Sequence, residues 1–418
     1  MQILLKDFSD FKVANNNTSK VFIFGAGTIG RLTDLALKQK GINAYCFIDS
    51  DPRKQGREIQ GKNIISPDEL KKSDTKASHI FISCNYFSSI IPFLKKNNFN
   101  NFYKVTEILK DVDVYKLYDK IDMQMLFAKL LPLKLERNLA FYNEMCNKES
   151  YISNNVLRLK SIDVQITEKC SLKCKDCSNL MQYYKKPQDS DFHVLTKSVD
   201  KILNSIDFVD ELRVLGGDPF MNKDLDKIIN KLVEYSNIGR IVVYTNARFI
   251  PKNKNLDYLK QPRVVLDITD YGAASAAAEN FVQFAIKEGI SYSINKCHTW
   301  QDCGRIIPNN KKTDKDLEHQ FSNCCNSDLI SLLHGKLYRC PFSANGVNLN
   351  AFSADKDDEI NLLDEKLDKK NIRDKIMYLA FGKKFLTACR FCNGRDYATA
   401  NIPAAVQTKS KLDYTFQN

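Results

Sequence analysis

Short apolar runs that each give way to a helical stretch recur in two blocks of this 418-residue chain. That alternation points to parallel, doubly wound sheets, because a run buried on both faces needs helices above and below it. In the first block, residues 21–24 (VFIF) end in Gly25-Ala26-Gly27-Thr28-Ile29-Gly30 and lead into a helix reaching about residue 39. A second strand, residues 44–48, stops at Asp49; residues 79–83 (HIFIS) form another, with a helix at 90–97. In the second block the strands fall at residues 163–167, 212–215, 240–244, 263–268 and 291–294, with helices at 198–206, 225–235 and 276–287. Between the blocks, helical periodicity with little Gly or Pro, clearest in residues 123–131 (MQMLFAKLL), reads as a helical connector. After Cys297 the alternation stops, and residues 333–340 (LHGKLYRC) read as a hairpin turning at His334-Gly335.

The length exceeds one ordinary core and predicts several domains. The N-terminus has only a very short apolar run, which is no signal peptide, and no apolar stretch reaches the roughly 20 residues of a membrane span. The expectation is a soluble, cytoplasmic protein with no membrane partner. A net charge of +12 is spread along the chain rather than clustered. It fits a solvated basic surface or attraction to an anionic substrate, and no nucleic-acid motif accompanies it.

Thirteen cysteines are many for a reducing compartment, where grouped thiols more often bind metal than form disulfides. Cys46, Cys84 and Cys146 are isolated and read as small core residues. Cys170, Cys174 and Cys177 have the spacing C-x3-C-x2-C in the loop after a strand, so their thiolates can converge on one inorganic centre. Three ligands leave a fourth position open. A structural zinc site wants four ligands, and no obvious fourth lies nearby, although the spacing alone does not exclude zinc.

At these residues the sequence resembles the radical S-adenosylmethionine (SAM) superfamily, over roughly residues 158–400. The resemblance implies that Cys170, Cys174 and Cys177 hold a [4Fe–4S] cluster whose open iron binds SAM, and that reductive cleavage yields a 5′-deoxyadenosyl radical. Gly216-Gly217-Asp218-Pro219 stands where the family has a Gly-Gly-Glu-Pro turn beside the SAM amino group. Thr245-Asn246 stands where it often has Thr-Asn-Gly, with Ala247 replacing the glycine. Asp176 departs from the aromatic residue many members carry before the third cysteine, which shifts the expected adenine contact to Tyr183 or Tyr184.

A second set, Cys325, Cys340, Cys389 and Cys392, reads C-x14-C … C-x2-C. It resembles the shortened auxiliary-cluster (twitch or SPASM-like) subdomain of radical SAM enzymes of the 2-deoxy-scyllo-inosamine dehydrogenase type. The implied occupant is a second [4Fe–4S] cluster that accepts the electron left on the substrate; four cysteines are also a zinc pattern, which the radical SAM context disfavours. Cys324 competes with Cys325 as first ligand. Cys297 and Cys303 are further metal candidates, and with His298 they are the candidate catalytic residues; His298 and Trp300 are also expected near the substrate.

Gly25, Gly27 and Gly30 fit G-x-G-x-x-G between a strand and a helix, with Asp49 about 20 residues on, the pattern of a nucleotide cradle. Residues 18–105 resemble the small Rossmann-like domain of bacterial nucleotide-sugar-modifying enzymes; the same glycines also suit a plain tight turn on a partner-docking domain. The expected α/β organisation is a Rossmann-like domain at 1–110, a helical connector at 111–157, a partial (β/α)6 barrel at 158–296 and an auxiliary-cluster subdomain at 297–418. The expected activity is dehydrogenation of a carbohydrate or cyclitol-like substrate, with flavodoxin or ferredoxin as electron donor. Sugar epimerisation and ribosomal-peptide modification are the alternatives.

Overall fold

The structure, a computed structural model, describes every residue except 1–4, 12–18, 53, 85–86, 111–156, 249, 251–255, 309–310, 323, 325, 327–328, 396–398 and 415–418. The expected connector at 111–157 thus falls almost wholly outside the described residues. The chain forms two compact units, Met1–Val156 and Leu157–Asn418. Among the described residues no helix is long and apolar enough to cross a membrane.

The first unit alternates β1 (Lys20–Phe24), α1 (Thr28–Gln39), β2 (Cys46–Ile48), the antiparallel pair β3 (Glu58–Ile59) and β4 (Lys62–Ile65), α2 (Pro67–Leu70), β5 (Ser78–Ile82), α3 (Phe87–Lys96), β6 (Phe102–Lys104) and α4 (Thr106–Lys110). Its sheet has the order β3-β4-β2-β1-β5-β6 and is parallel except at β3–β4. β1, β2 and β5 are buried along nearly their whole length, as continuous apolar runs require of central parallel strands. The glycine loop after β1 lies where the strand order reverses, between β2 and β5, which is where open α/β sheets place ligand crevices.

The second unit runs β7 (Arg158–Thr167), α5 (Phe192–Ser205), β8 (Phe208–Gly216), α6 (Leu225–Leu232), β9 (Ile238–Thr245), β10 (Val264–Asp270), α7 (Ala278–Lys287), β11 (Tyr292–Lys296), β12 (Thr299–Gln301), α8 (Asp314–Ser322), β13 (Leu329–Leu333), β14 (Lys336–Tyr338), α9 (Pro341–Asn348), β15 (Glu359–Asn361), α10 (Lys369–Met377) and β16 (Asn401–Pro403). The crossover helices are amphipathic. α5 buries Leu195, Val199, Ile202 and Leu203 on one face, and its first turn is capped by Asp191, whose carboxylate accepts the His193 and Val194 N–H groups at 2.9 Å each.

Eight strands form one sheet in the order β11-β10-β9-β8-β7-β13-β14-β15. The first six are mutually parallel. The five expected barrel strands are all present, and the sixth is β13, which comes from beyond Cys297 and pairs with β7. The sheet therefore runs across the expected boundary at 296/297. The hairpin at His334-Gly335 forms as read, with φ of +46° and +80° at its two turn residues, as a two-residue primed turn demands.

Candidate active site

The C-terminal ends of β7 to β10 converge on a cavity of ≈ 310 Å³. Cys170, Cys174 and Cys177 border it together, along with Gly216, Gly217, Thr245 and Asn246. The root of the cysteine loop is tied down by its own residues: Thr167 Oγ1 donates to Asp189 at 2.6 Å, and Lys169 Nζ pairs with the same carboxylate at 2.7 Å. Two amides reach the sulfurs. Asn246 Nδ2 lies 3.5 Å from Cys170 Sγ, and Gln407 Nε2 lies 3.2 Å from Cys174 Sγ. Burial pushes the Cys170 and Cys174 thiols up to about 12 and raises Cys177 as well. Iron binding must therefore displace protons from these sulfurs.

Gly216 and Gly217 are dictated by the cysteine loop itself. A Cβ on Gly216, whose φ is +142°, would lie 2.1 Å from the Thr167 carbonyl oxygen, and one on Gly217 2.0 Å from that of Lys169. The Gly217 and Asp218 amides donate to those same two oxygens at 2.8 Å. Gly217→Ala is expected to lower stability by about 3 kcal/mol or more and to distort the loop, measurable as a drop in denaturation midpoint with loss of bound iron.

Asp218 and Pro219 do not border the cavity. The Asp218 carboxylate, raised by burial, is fully buried and accepts from Thr245 Oγ1 at 3.0 Å and from the Asn246 and Phe220 amides at 3.1 Å each. It binds the end of β8 to the end of β9 and so sets Thr245 and Asn246 at the wall. Ala247 follows with φ of +51° in a fully buried position. A left-handed alanine costs about 1–2 kcal/mol, less the entropy a glycine would lose. Ala247→Gly should stabilise the protein by about 0.5–1 kcal/mol, seen as a raised melting temperature.

The aromatic side of the cavity comes from Tyr244, Tyr271 and Trp300, the last two packed edge-on at 5.4 Å. The expectation of Tyr183 or Tyr184 is corrected. Tyr183 packs edge-on against Tyr414, and the Tyr184 hydroxyl donates to Asn345 at 2.7 Å, both away from the cavity. Asp176 instead pairs with Arg305 at 2.9 Å, linking the cysteine loop to the segment after β12. Of the four residues after β11 singled out in the sequence, Trp300 and Cys303 border the cavity and Cys297 and His298 do not.

A second cavity is walled by Cys303, Cys324, Cys340, Cys389 and Cys392 together with Phe321, Phe342 and Leu386. Cys325 lies outside the described residues; its neighbour Cys324 occupies the wall. Cys340 caps α9, with the Ser343 amide 3.4 Å from its sulfur, and the Gly394 amide lies 3.3 Å from Cys392 Sγ. Burial raises Cys340 and pushes Cys389 up to about 12, and the Cys392 thiol lies 3.9 Å from the Cys303 carbonyl oxygen. Among the described residues, no three His, Cys, Asp or Glu side chains are set round a single metal ion. The sulfur-only donor sets and the amides aimed at sulfur suit larger iron–sulfur groups.

In the first unit, Asp49 is engaged by its own loops: its carboxylate accepts the Ala26 and Asp51 amides at 2.9 Å each and Lys54 Nζ at 2.8 Å. Gly30 lets α1 pack on the loop, since a Cβ there would lie 1.9 Å from the Gly25 oxygen, whereas Gly27 faces open space.

Residues 164–291 match the family model of the radical SAM superfamily, and residues 17–101 match the model described as C2185-like, N-terminal. The chain thus carries a radical SAM domain. It is similar to GTP 3′,8-cyclase of Campylobacter jejuni subsp. doylei, 23% identical over 144 residues, covering 33% of this chain and 44% of that protein. It is also similar to GTP 3′,8-cyclase of Helicobacter pylori, 26% identical over 153 residues, covering 32% and 45%. The chain spans under half the length of these curated relatives. Among solved structures, BtrN in complex with AdoMet and 2-DOIA aligns at 19% identity and a TM-score of 0.38, covering 61% of this chain and 98% of that one. Streptococcus suis SuiB bound to S-adenosylmethionine aligns at 13% and 0.29, covering 57% and 48%.

Proposed function

We propose that the chain is an oxidoreductase that dehydrogenates an alcohol-bearing, carbohydrate-like small molecule by radical SAM chemistry, with a second iron–sulfur site receiving the electron left on the substrate. The observation that carries this reading is the wall shared by two thiol-lined cavities: Cys303, Ser178 and Arg395 border both. A [4Fe–4S] cluster with SAM, when bound and reduced, supplies a 5′-deoxyadenosyl radical that abstracts a hydrogen atom. Cys170, Cys174 and Cys177 are the residues that would hold it. Gly216, Gly217, Thr245 and Asn246 offer backbone and side-chain polar groups at the same wall. Tyr271 and Trp300 give flat apolar faces, and Thr269, Tyr244, Gln301 and Arg395 give polar groups, a lining suited to a hydroxylated ring.

Cys324, Cys340, Cys389 and Cys392 would hold the second group, fully ligated. Removing a hydrogen atom from a carbinol carbon leaves a radical; loss of the hydroxyl proton and one electron completes a carbonyl. A one-electron carrier of the flavodoxin or ferredoxin class is the expected reductant. The glycine loop at the switch point of the first unit is by itself a candidate nucleotide site.

The test is deuterium transfer. Reconstituted protein with SAM and reductant is offered carbon-deuterated sugars, nucleotide-sugars and peptides. Label should enter 5′-deoxyadenosine from a carbohydrate class, with a carbonyl in the product. Transfer from peptides alone would sink the carbohydrate reading. Because Cys303 borders the substrate cavity, epimerisation is the second reading; it would show as solvent deuterium in a product of unchanged oxidation state.

A further inference from the structure

The loop that carries the first cysteine set is covered by a short length of chain from beyond β16. Cys174 and Gln407 face each other in an antiparallel bridge. The Lys175 amide donates to the Val406 oxygen at 2.7 Å and the Thr408 amide to the Lys173 oxygen at 2.8 Å. Side chains alternate along such a pair, so Cys174 and Gln407 share the inner face and Lys173, Lys175, Val406 and Thr408 the outer one. Burial follows the alternation: Cys174 is buried between exposed Lys173 and Lys175, and Val406 is 45% exposed. The Gln407 amide links the two faces, since the Lys173 amide donates to its oxygen at 2.7 Å and its Nε2 lies 3.2 Å from Cys174 Sγ. One pair of extended segments thus separates that sulfur from solvent.

The outer face is basic and lacks counter-charge. Lys173, Lys175 and Lys409 are exposed, and among the described residues none of the three forms an ion pair, whereas Lys169 and Lys185 on either side of the loop hold Asp189 and Asp413. The one acidic residue between Lys169 and Cys177, Asp176, is buried and turned to Arg305. No acidic residue occurs from Asn401 to Leu412. Unpaired ammonium groups around a half-exposed valine make a small charged patch with an apolar centre. Such a patch suits a brief encounter steered by charge, of the limited area that redox partners use. None of these side chains is aromatic, as stacking of nucleic-acid bases would want.

We infer that this face is the docking surface of the electron donor, an acidic one-electron carrier protein, and that its electron enters the first cluster through Cys174. The step makes and breaks no bond: the reduced carrier loses one electron and the cluster held by Cys170, Cys174 and Cys177 gains it. Lys173 and Lys175 attract and orient the carrier, and Val406 gives its cofactor edge an apolar seat behind Cys174. The inference rests on the radical SAM reading of the first cysteine set.

The test is charge reversal in the full-length, reconstituted protein. The variant is Lys173→Glu/Lys175→Glu; Lys287→Glu/Lys370→Glu, at exposed positions on α7 and α10, controls for net charge. Affinity for a purified acidic flavodoxin and for a ferredoxin is measured by fluorescence anisotropy, and 5′-deoxyadenosine formation is driven either by the reduced carrier or by dithionite. At low salt the loop variant should bind the better carrier about 10-fold or more weakly and lose a similar factor in carrier-driven turnover. Both gaps should narrow at about 0.5 M salt, where screening is nearly complete. Iron content and the dithionite-driven rate should match the parent, and the control should stay within about twofold in every assay. An unchanged affinity and carrier-driven rate in the loop variant would overturn the inference, as would an equal loss in the control. So would a parent that takes electrons from dithionite but from neither carrier. A face that binds single-stranded DNA, with carrier-driven turnover untouched by its reversal, would assign the patch to nucleic acid instead and overturn it too. A parent that binds no iron, or leaves SAM intact even with dithionite, would defeat the radical SAM reading itself and the docking surface with it.

Discussion

Replacing Cys170 by alanine should abolish SAM cleavage and remove about half of the bound iron. Cys170 and Cys177 stand at the root and end of the loop after β7, and both border the cavity with Cys174. Two thiolates cannot hold a cubane with one iron left open in this arrangement. Changes merely adjacent to metal ligands cost about 10–100-fold, so loss of a ligand should exceed about 10³-fold in 5′-deoxyadenosine formation. The second site lies in a different cavity wall and should still bind roughly four irons. The fold should survive, because the truncation removes one sulfur beside an existing cavity. Iron falling to zero in this variant would mean that the two cysteine sets do not form separate centres.

Cys340→Ala should separate the two halves of the proposed reaction. Cys340 caps α9 with its sulfur, next to Cys389 and Cys392, and has no place on the wall of the first cavity. Iron should again fall by about half, yet a measurable fraction of uncoupled SAM cleavage should persist. Formation of the carbonyl product should fall by at least about 10²-fold, since no acceptor remains for the substrate's electron. Retention of full iron would assign the second site to other cysteines. Retention of product formation would mean that the electron leaves by another route. The sulfur is one of a handful of buried groups in that region, and its loss costs only about 1 kcal/mol in packing, so the variant should stay folded.

What could be read from the sequence was what is local. Cys170, Cys174 and Cys177, Gly216-Gly217 and Thr245-Asn246 each follow a strand in a parallel sheet, and parallel strands bring their C-terminal ends to one side whatever lies between them. Their convergence on one cavity followed from the strand–helix alternation alone. The contacts that refine the site are long-range. Gln407 reaches Cys174 across 233 positions, because the chain after β16 runs beside the cysteine loop, where the Lys175 amide donates to the Val406 oxygen. Nothing in the spacing around Gln407 announces it. The exchange of an aromatic residue for Asp176 became intelligible only through Arg305, which lies beyond β12.

The same distinction explains the other departures. β13 is an apolar run of five, too short to say which sheet it joins; its place beside β7 is settled by the free edge there. Tyr183 and Tyr184 were candidates by nearness in sequence to Cys177, but the single turn at Met181–Tyr183 directs them away from the cavity. Asp218 fits its motif in sequence and yet serves it indirectly, by fixing Thr245 and Asn246 rather than by facing the cavity. Asp49 matches the nucleotide pattern in position, while its carboxylate is already engaged by Ala26, Asp51 and Lys54.

The most direct test of the central claim is the fate of SAM itself. Anaerobically reconstituted protein carrying about eight irons, given a strong one-electron reductant and SAM, should release 5′-deoxyadenosine and methionine in equal amounts, and the Cys170→Ala variant should release neither. Iron-loaded protein that leaves SAM intact, or a Cys170→Ala variant that cleaves it as fast as the parent, would contradict the account.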